Sequence, residues 1–196
     1  MIIQKLDENL IAILDKIADI RRSMLWKISE NYNLTPLQIQ ILQYINGCSA
    51  SKQITPSDIV KNLYISKATA SVALKTLQKK GMIHKNMDNS DFRSYNLTLT
   101  KKAKNILIRI EQSKRDIMRF LENMSSNDKK ATFTVLTQLV TVMQNNGIID
   151  YMALCINCEY CKQIKPNTFQ CTLTGRIFEY DGINVGCCNF EDKRAV

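Results

Sequence analysis

The apolar positions of the chain open as a single stripe. Leu6, Leu10, Ile13, Ile17, Ile20, Met24 and Ile28 recur at steps of three and four, the period of one face of a long amphipathic helix. A stripe of that length requires a partner surface. Thr35-Pro36-Leu37-Gln38 then opens a second helix, with Thr as N-cap, Pro at the first helical position and Gln completing a capping box; Ile39, Ile41, Leu42 and Ile45 carry it to Gly47. Thr55-Pro56-Ser57-Asp58 repeats the device for a short helix ending near Leu63. After the tight turn Tyr64-Ile65-Ser66, the segment Lys67–Lys80 turns Ala70, Ala73, Leu74 and Leu77 inward and stops at Gly81. Two short helices joined by a tight turn, the second capped by Ser66, predict a helix-turn-helix.

Beyond Gly81 the period falls from 3.6 to about 2. Met82–Lys85 and Asn96–Leu99 predict two strands around the polar turn Asn86–Tyr95, a β-hairpin wing. Thr100 caps a helix expected to run from Lys101 to about Asn123, burying Ala103, Ile106, Leu107, Ile110, Ile117, Phe120 and Leu121. Ser125 to Asp128 cap a last long helix, with Phe133, Leu136, Leu139, Val140 and Met143 inward, ending at Asn146-Gly147. The expected class is mainly α: a winged helix-turn-helix with long amphipathic helices over residues 1–150, followed by a small cysteine-rich domain over residues 151–196.

Charge sharpens this picture once it is partitioned. The chain of 196 residues carries a formal +9. Between Lys52 and Lys104 stand eleven basic residues against three acids, so +8 of the total falls on the helix-turn-helix and wing. A basic run by itself is usually a solvated face, but here it coincides with a fold that enters DNA grooves. Ser66, Lys67, Thr69, Ala70 and Ser71 open the second helix of the pair, with Lys75 one turn on, where they reach base edges and phosphates of a major groove. Arg93 and Ser94 at the wing tip suit the negative potential of the adjacent minor groove; Asp91 holds that arginine or the turn in place.

Several classes are excluded or weakened. No apolar run approaches the roughly 20 residues of a membrane span, and Asp7, Glu8 and Asn9 interrupt the N-terminal stretch a signal peptide needs, so a cytoplasmic location is expected. With His84 the only histidine, and with no phosphate-cradling glycine loop, an enzyme is not expected.

Residues 5–146 resemble the MarR family of dimeric winged-helix transcription regulators. The resemblance rests on Leu34–Gln38, Thr55–Ile59, Ser66–Ser71, Leu77–Ile83, and the wing pattern Asp91-Phe92-Arg93 followed by Leu97–Thr100. It implies a homodimer built from the first helix and the last two long helices, and a pseudo-palindromic double-stranded DNA operator with half-sites about one helical turn apart. The wing departs from the pattern in carrying a single arginine where many relatives carry two or three.

Six of the seven cysteines lie between Cys155 and Cys188, in a tail from Tyr151 onward whose five basic and five acidic residues cancel. At this density in a cytosolic chain, metal ligands are favoured over disulfides. A zinc ribbon would show a second Cys-x2-Cys knuckle, which is missing; a ferredoxin-type run would continue from Cys155, Cys158 and Cys161 to a fourth cysteine followed by Pro, which is also missing. The segment is similar to the small iron–sulfur domains of accessory subunits of glycyl-radical enzymes, through Cys-x2-Cys-x-Tyr, a lone cysteine before a Thr-Gly turn (Cys171 to Gly175), and a final cysteine shortly before Phe190. That resemblance implies Cys155, Cys158, Cys171 and Cys188 as ligands of a four-iron cluster, with Cys161 and Cys187 as substitutes or neighbours and zinc as the alternative metal. Cys48, after the second helix, reads as a small core residue.

The combined expectation is a repressor that senses redox state, oxygen, nitric oxide or iron through the tail. Two alternatives stand beside it: a regulator answering to a small-molecule effector with a structural zinc tail, and an iron–sulfur electron-transfer or accessory protein that uses the winged helix only for docking.

Overall fold

The computed structural model describes residues 2–48, 52–87, 95–112, 115–149 and 153–193. It divides into two compact units, one of Met1–Asn46 with Ile54–Ile110, the other of Gly47–Gln53 with Glu111–Val196. This boundary is not the one expected at residue 150.

The first unit begins with α1 (Ile2–Tyr32), followed by α2 (Pro36–Cys48), α3 (Pro56–Leu63) and α4 (Lys67–Lys79). Their starts are set by side chains that satisfy otherwise orphaned backbone donors. At α2, Thr35 Oγ1 accepts from the Gln38 backbone N–H at 3.2 Å while Gln38 Oε1 accepts from the Thr35 N–H at 3.1 Å. At α3, Thr55 and Asp58 make the same reciprocal pair, and Tyr64 ends the helix in the left-handed conformation at φ 54°. Ser66 caps α4 by accepting from Thr69 N–H. Gly81, at φ +65°, turns the chain out of α4 where a side chain would be strained.

The wing is the antiparallel pair β1 (Ile83–Met87) and β2 (Tyr95–Leu99), with Ile83 opposite Leu99 and Met87 opposite Tyr95. Both strands run farther toward the tip than the hydrophobic alternation indicated. Leu97 N–H also donates to Ile54 O at 2.7 Å, which ties the wing to the segment preceding α3. Ile39, Ile41, Leu42 and Ile45 of α2, Ile59 of α3, Leu74 and Leu77 of α4, and Leu97 of β2 are all fully buried, each contributing about 1.5–3 kcal/mol by transfer from water. Ala103, Ile106, Leu107 and Ile110 close the core from α5 (Lys101–Gln112), whose first turn Thr100 caps through Ala103 N–H.

The helix expected from Lys101 to Asn123 is two helices, α5 and α6 (Arg115–Asn123). Its expected inward residues beyond that point are not buried: Ile117, Phe120 and Leu121 are exposed. In α7 (Ser126–Asn145) the buried side chains are Thr137 and Gln144, whereas Leu136 and Leu139 face solvent. The reason is the tail. Phe133 packs against the tail's apolar core, Thr137 Oγ1 contacts Tyr180 Oη at 3.3 Å, Asn157 Nδ2 donates to Gln144 Oε1 at 2.6 Å, and Lys130 pairs with Asp181 at 3.0 Å. One side of α7 thus belongs with the tail, which moves the unit boundary to Ile110/Glu111.

The tail itself is built from a short 3-10 turn (Cys155–Asn157), the antiparallel sheet β3 (Cys161–Lys165), β4 (Thr168–Cys171) and β5 (Ile177–Glu179), and a second 3-10 turn (Tyr180–Gly182). Phe169 and Phe178 stack across β4 and β5 with ring centroids 5.9 Å apart. No helix among the described residues is long and apolar enough to cross a membrane.

Candidate nucleic-acid interface and thiol module

The outward face of α4 is assembled by its packing. With Ala70, Ala73, Leu74 and Leu77 fixed inward, the helical period leaves Ser66, Lys67, Thr69, Ser71 and Lys75 exposed at the N-terminal end and along one side. Ser66 Oγ and Thr69 Oγ1 lie 2.8 Å apart, so the cap also orders the threonine hydroxyl. Ala70, expected on this face, does not belong to it. It is 2% exposed and packs in the core, so its methyl supports the helix from behind and presents no surface to a groove.

One residue of this face was missed. Val72 is 66% exposed, an apolar side chain on the polar side of the helix, of the kind that contacts thymine methyls in a major groove. The signal was present, because Val72 breaks the inward 70-73-74-77 pattern. Val72 also borders a concavity with Thr35, Gln38, Thr69 and Thr76 at the start of α2. On the wing, Lys85 Nζ sits 4.8 Å over the Tyr95 ring and Asn86 Nδ2 donates to Thr98 Oγ1 at 3.1 Å. Arg93, Ser94 and Asp91 lie outside the described residues.

The cysteines are divided differently from expectation. Cys188 forms a disulfide with Cys48, with Cα atoms 5.4 Å apart across 140 residues of sequence. Cys188 is therefore not free to ligate a metal, and Cys48, although buried, is a bonded residue and not merely a packed one. Cys155, Cys158, Cys161, Cys171 and Cys187 remain free thiols. All five share one apolar cluster with Phe178, Ile183 and Phe190. Cys158 N–H donates to Cys155 O at 3.0 Å and Cys161 N–H to Cys158 O at 2.9 Å, while Cys161 and Cys171 are direct cross-strand partners of β3 and β4.

Within the cluster Cys155 and Cys187 are hydrogen-bonded side chain to side chain. The contact holds the Cys187 thiol down at about 6, aided by the Asn189 backbone N–H and the Lys52 charge. Cys155 is pushed up as the proton-retaining partner, with burial adding to the effect. Cys171 lies below its ordinary value because the Thr174 hydroxyl and the backbone N–H groups of Thr174 and Leu173 donate to its sulfur and outweigh burial. Burial pushes Cys161 up. Among the described residues no three Cys, His, Asp or Glu side chains already stand as a metal cage. The donor chemistry suits a thiophilic metal, since five thiols belong to one apolar cluster.

Fold and exposed face together define a winged helix-turn-helix module. Residues 32–94 match the model of the MarR family, so this module is MarR-like in both sequence and fold. A curated relative, the uncharacterized HTH-type transcriptional regulator YdgJ of Bacillus subtilis (strain 168), is 31% identical over 94 residues, covering 48% of this chain and 56% of the relative. The chain thus spans little more than half the length of that relative. Among solved structures, S. aureus MepR in its DNA-binding conformation is similar at 21% identity with a TM-score of 0.58, covering 68% of this chain and 97% of that one. The S. aureus MepR–DNA complex aligns at 21% identity with a TM-score of 0.51, covering 68% and 98%.

Proposed function

We propose that the chain is a MarR-type transcription regulator, a repressor that binds a pseudo-palindromic DNA operator as a homodimer. The observation carrying this reading is the face of α4, where Ser66, Lys67, Thr69, Ser71, Val72 and Lys75 are exposed on a helix whose other side is locked into the core. The MepR–DNA complex supports it by fold. The dimer reading draws on α1, where Leu6, Leu10, Ile13, Ile17 and Ile20 are each more than half exposed in the single chain, an apolar stripe of the kind that seeks another helix. Titrating duplex binding against salt tests the function. A DNA reader shows a steep linear fall of log affinity with log salt from counterion release; a flat dependence rejects it in favour of a docking module.

The sensor reading places redox or iron sensing in the tail, with an iron–sulfur cluster as the metal group and zinc as the alternative, the group supplying a change of charge and coordination when it is oxidised or lost. Its support is the convergence of five free thiols in the unit that also contains α6 and α7. Equal operator affinity of metal-loaded and metal-free protein at fixed salt rejects this sensor reading while leaving DNA binding intact. A small-molecule effector is the second reading, favoured by an apolar groove of about 490 Å³ bounded by Leu121, Met124, Phe133, Leu136 and Lys129, a size that suits small ligands.

A further inference from the structure

The vicinal pair Cys187-Cys188 shows which thiol completes the tail's sulfur site. Cys155 N–H donates to Asn184 O at 3.2 Å, Gly186 N–H donates to Ala153 O at 2.7 Å, and Leu154 bridges Val185 in antiparallel register. These rungs lay 153–155 against 184–186; beyond them the chain bends at Gly186, at φ +78°, and turns over Cys187–Phe190, closed by Phe190 N–H to Cys187 O at 3.2 Å, and the Cys187 side chain is hydrogen-bonded to Cys155. Cys187 packs against the thiol cluster, whereas the sulfur of Cys188 is taken by Cys48.

The other sulfurs are distinguished by their donors. Cys155 and Cys158 are linked across the first 3-10 turn by the Cys158 N–H to Cys155 O bond, giving the Cys-x2-Cys spacing that lets two sulfurs reach one metal. Cys171 sits on a turn closed by Gly175 N–H to Cys171 O at 2.8 Å, with Gly175 at φ +73°. That turn aims the Leu173 and Thr174 N–H groups at the Cys171 sulfur, as Asn189 N–H is aimed at Cys187. Backbone N–H groups aimed at a sulfur hold it in one orientation, as outer partners do for a metal ligand. Cys161 is buried on β3 directly opposite Cys171.

We propose that Cys155, Cys158, Cys171 and Cys187 form a four-sulfur site for a thiophilic metal centre, with Cys187 as the fourth ligand in place of Cys188. Cys161 is a buried neighbour of this site. Loading draws the four sulfurs inward as the metal replaces the S–H protons of those thiols still protonated, which are released to solvent. Lys52 near Cys187 and Lys193 near Cys161 offset part of the negative charge that results. The assignment deepens the sensor reading of the same module, but the two fail separately: metal binding is read by spectroscopy, sensing by operator affinity.

The test uses the full chain, purified anaerobically, with zinc, iron and acid-labile sulfide quantified. A colourless protein holding about one zinc indicates a mononuclear site; a brown one holding about four irons and sulfide indicates a cluster. Either supports the four-sulfur assignment. The metal-stripped protein is then titrated with Co²⁺, whose sulfur-to-cobalt charge-transfer and d–d bands report ligand type and tetrahedral geometry. Cys155→Ser, Cys158→Ser, Cys171→Ser and Cys187→Ser are each expected to weaken binding about tenfold or more, whereas Cys161→Ser and Cys188→Ser retain the wild-type spectrum. Circular dichroism of each variant checks folding, and Cys187→His provides a second route, because it keeps a ligand and shifts the bands toward three sulfurs and one nitrogen. Failure of the folded wild-type chain to bind Zn²⁺, iron or Co²⁺ overturns the proposal. So does loss of binding in Cys188→Ser with retention in Cys187→Ser, or a Cys187→His spectrum identical to wild type.

Discussion

Lys75 and Ala70 lie on the same helix and have opposite fates. Lys75 is exposed on the polar side of α4, Ala70 is sealed beneath it. Lys75→Ala is expected to weaken all DNA sequences about equally and to reduce the salt slope by about 1 in a log–log titration, the signature of one lost phosphate contact. Ala70 can affect binding only by displacing the helix that carries the others. At Cys187 the sign of the pH effect follows from its acidity, held at about 6 against an ordinary value of 9.0 by the Cys155 contact. Between those values the unfolded chain binds a proton that the folded chain has released, since Cys155 keeps its own, so this pair makes stability rise from pH 6 to pH 9 and be lost as pH falls through 6. Iodoacetamide labelling of metal-stripped protein is expected to modify Cys187 with a midpoint near pH 6 and to leave Cys155 unmodified there; a common midpoint near 9 contradicts the pairing.

At the scale of elements, the caps were the most legible feature. Thr35 with Gln38 and Thr55 with Asp58 are spaced so that each pair closes its own ring of hydrogen bonds, information local enough to be read from four residues. Thr55→Ala is expected to lower stability by about 1 kcal/mol in urea unfolding and to loosen α3, which precedes the recognition turn. The inward faces of α4 and α5 were legible for the same reason. The faces of α6 and α7 were not: periodicity shows that Leu121, Leu136 and Leu139 form a stripe, but not whether that stripe meets its own chain or another.

At the scale of the molecule, the proposed homodimer draws on the exposed apolar stripe of α1. Ile13→Glu combined with Ile17→Glu on α1 is expected to give monomers in sedimentation equilibrium and to abolish operator binding, because a single winged helix loses the second half-site. The disulfide acts at the same scale. By closing 140 residues of sequence it restricts the unfolded chain, and Cys48→Ser is expected to cost about 2–5 kcal/mol, seen as a lower melting temperature under oxidising conditions and no difference from wild type once both are reduced.

The sequence by itself determined what depends on neighbours a few residues apart: capped helices, the helix-turn-helix and its wing, the basic stretch laid over them, and a sulfur-rich tail. These follow from local hydrogen bonding and from the 3.6 and 2 periods. Tertiary structure alone decided which residues face which. It sealed Ala70, exposed Val72, gave one side of α7 to the tail, and gave two adjacent cysteines different partners, the thiol cluster for Cys187 and Cys48 for Cys188. No local pattern distinguishes Cys187 from Cys188; their partners do, because Cys48 lies 140 residues away in sequence and only the folded chain brings its sulfur to Cys188 while the thiol cluster packs against Cys187.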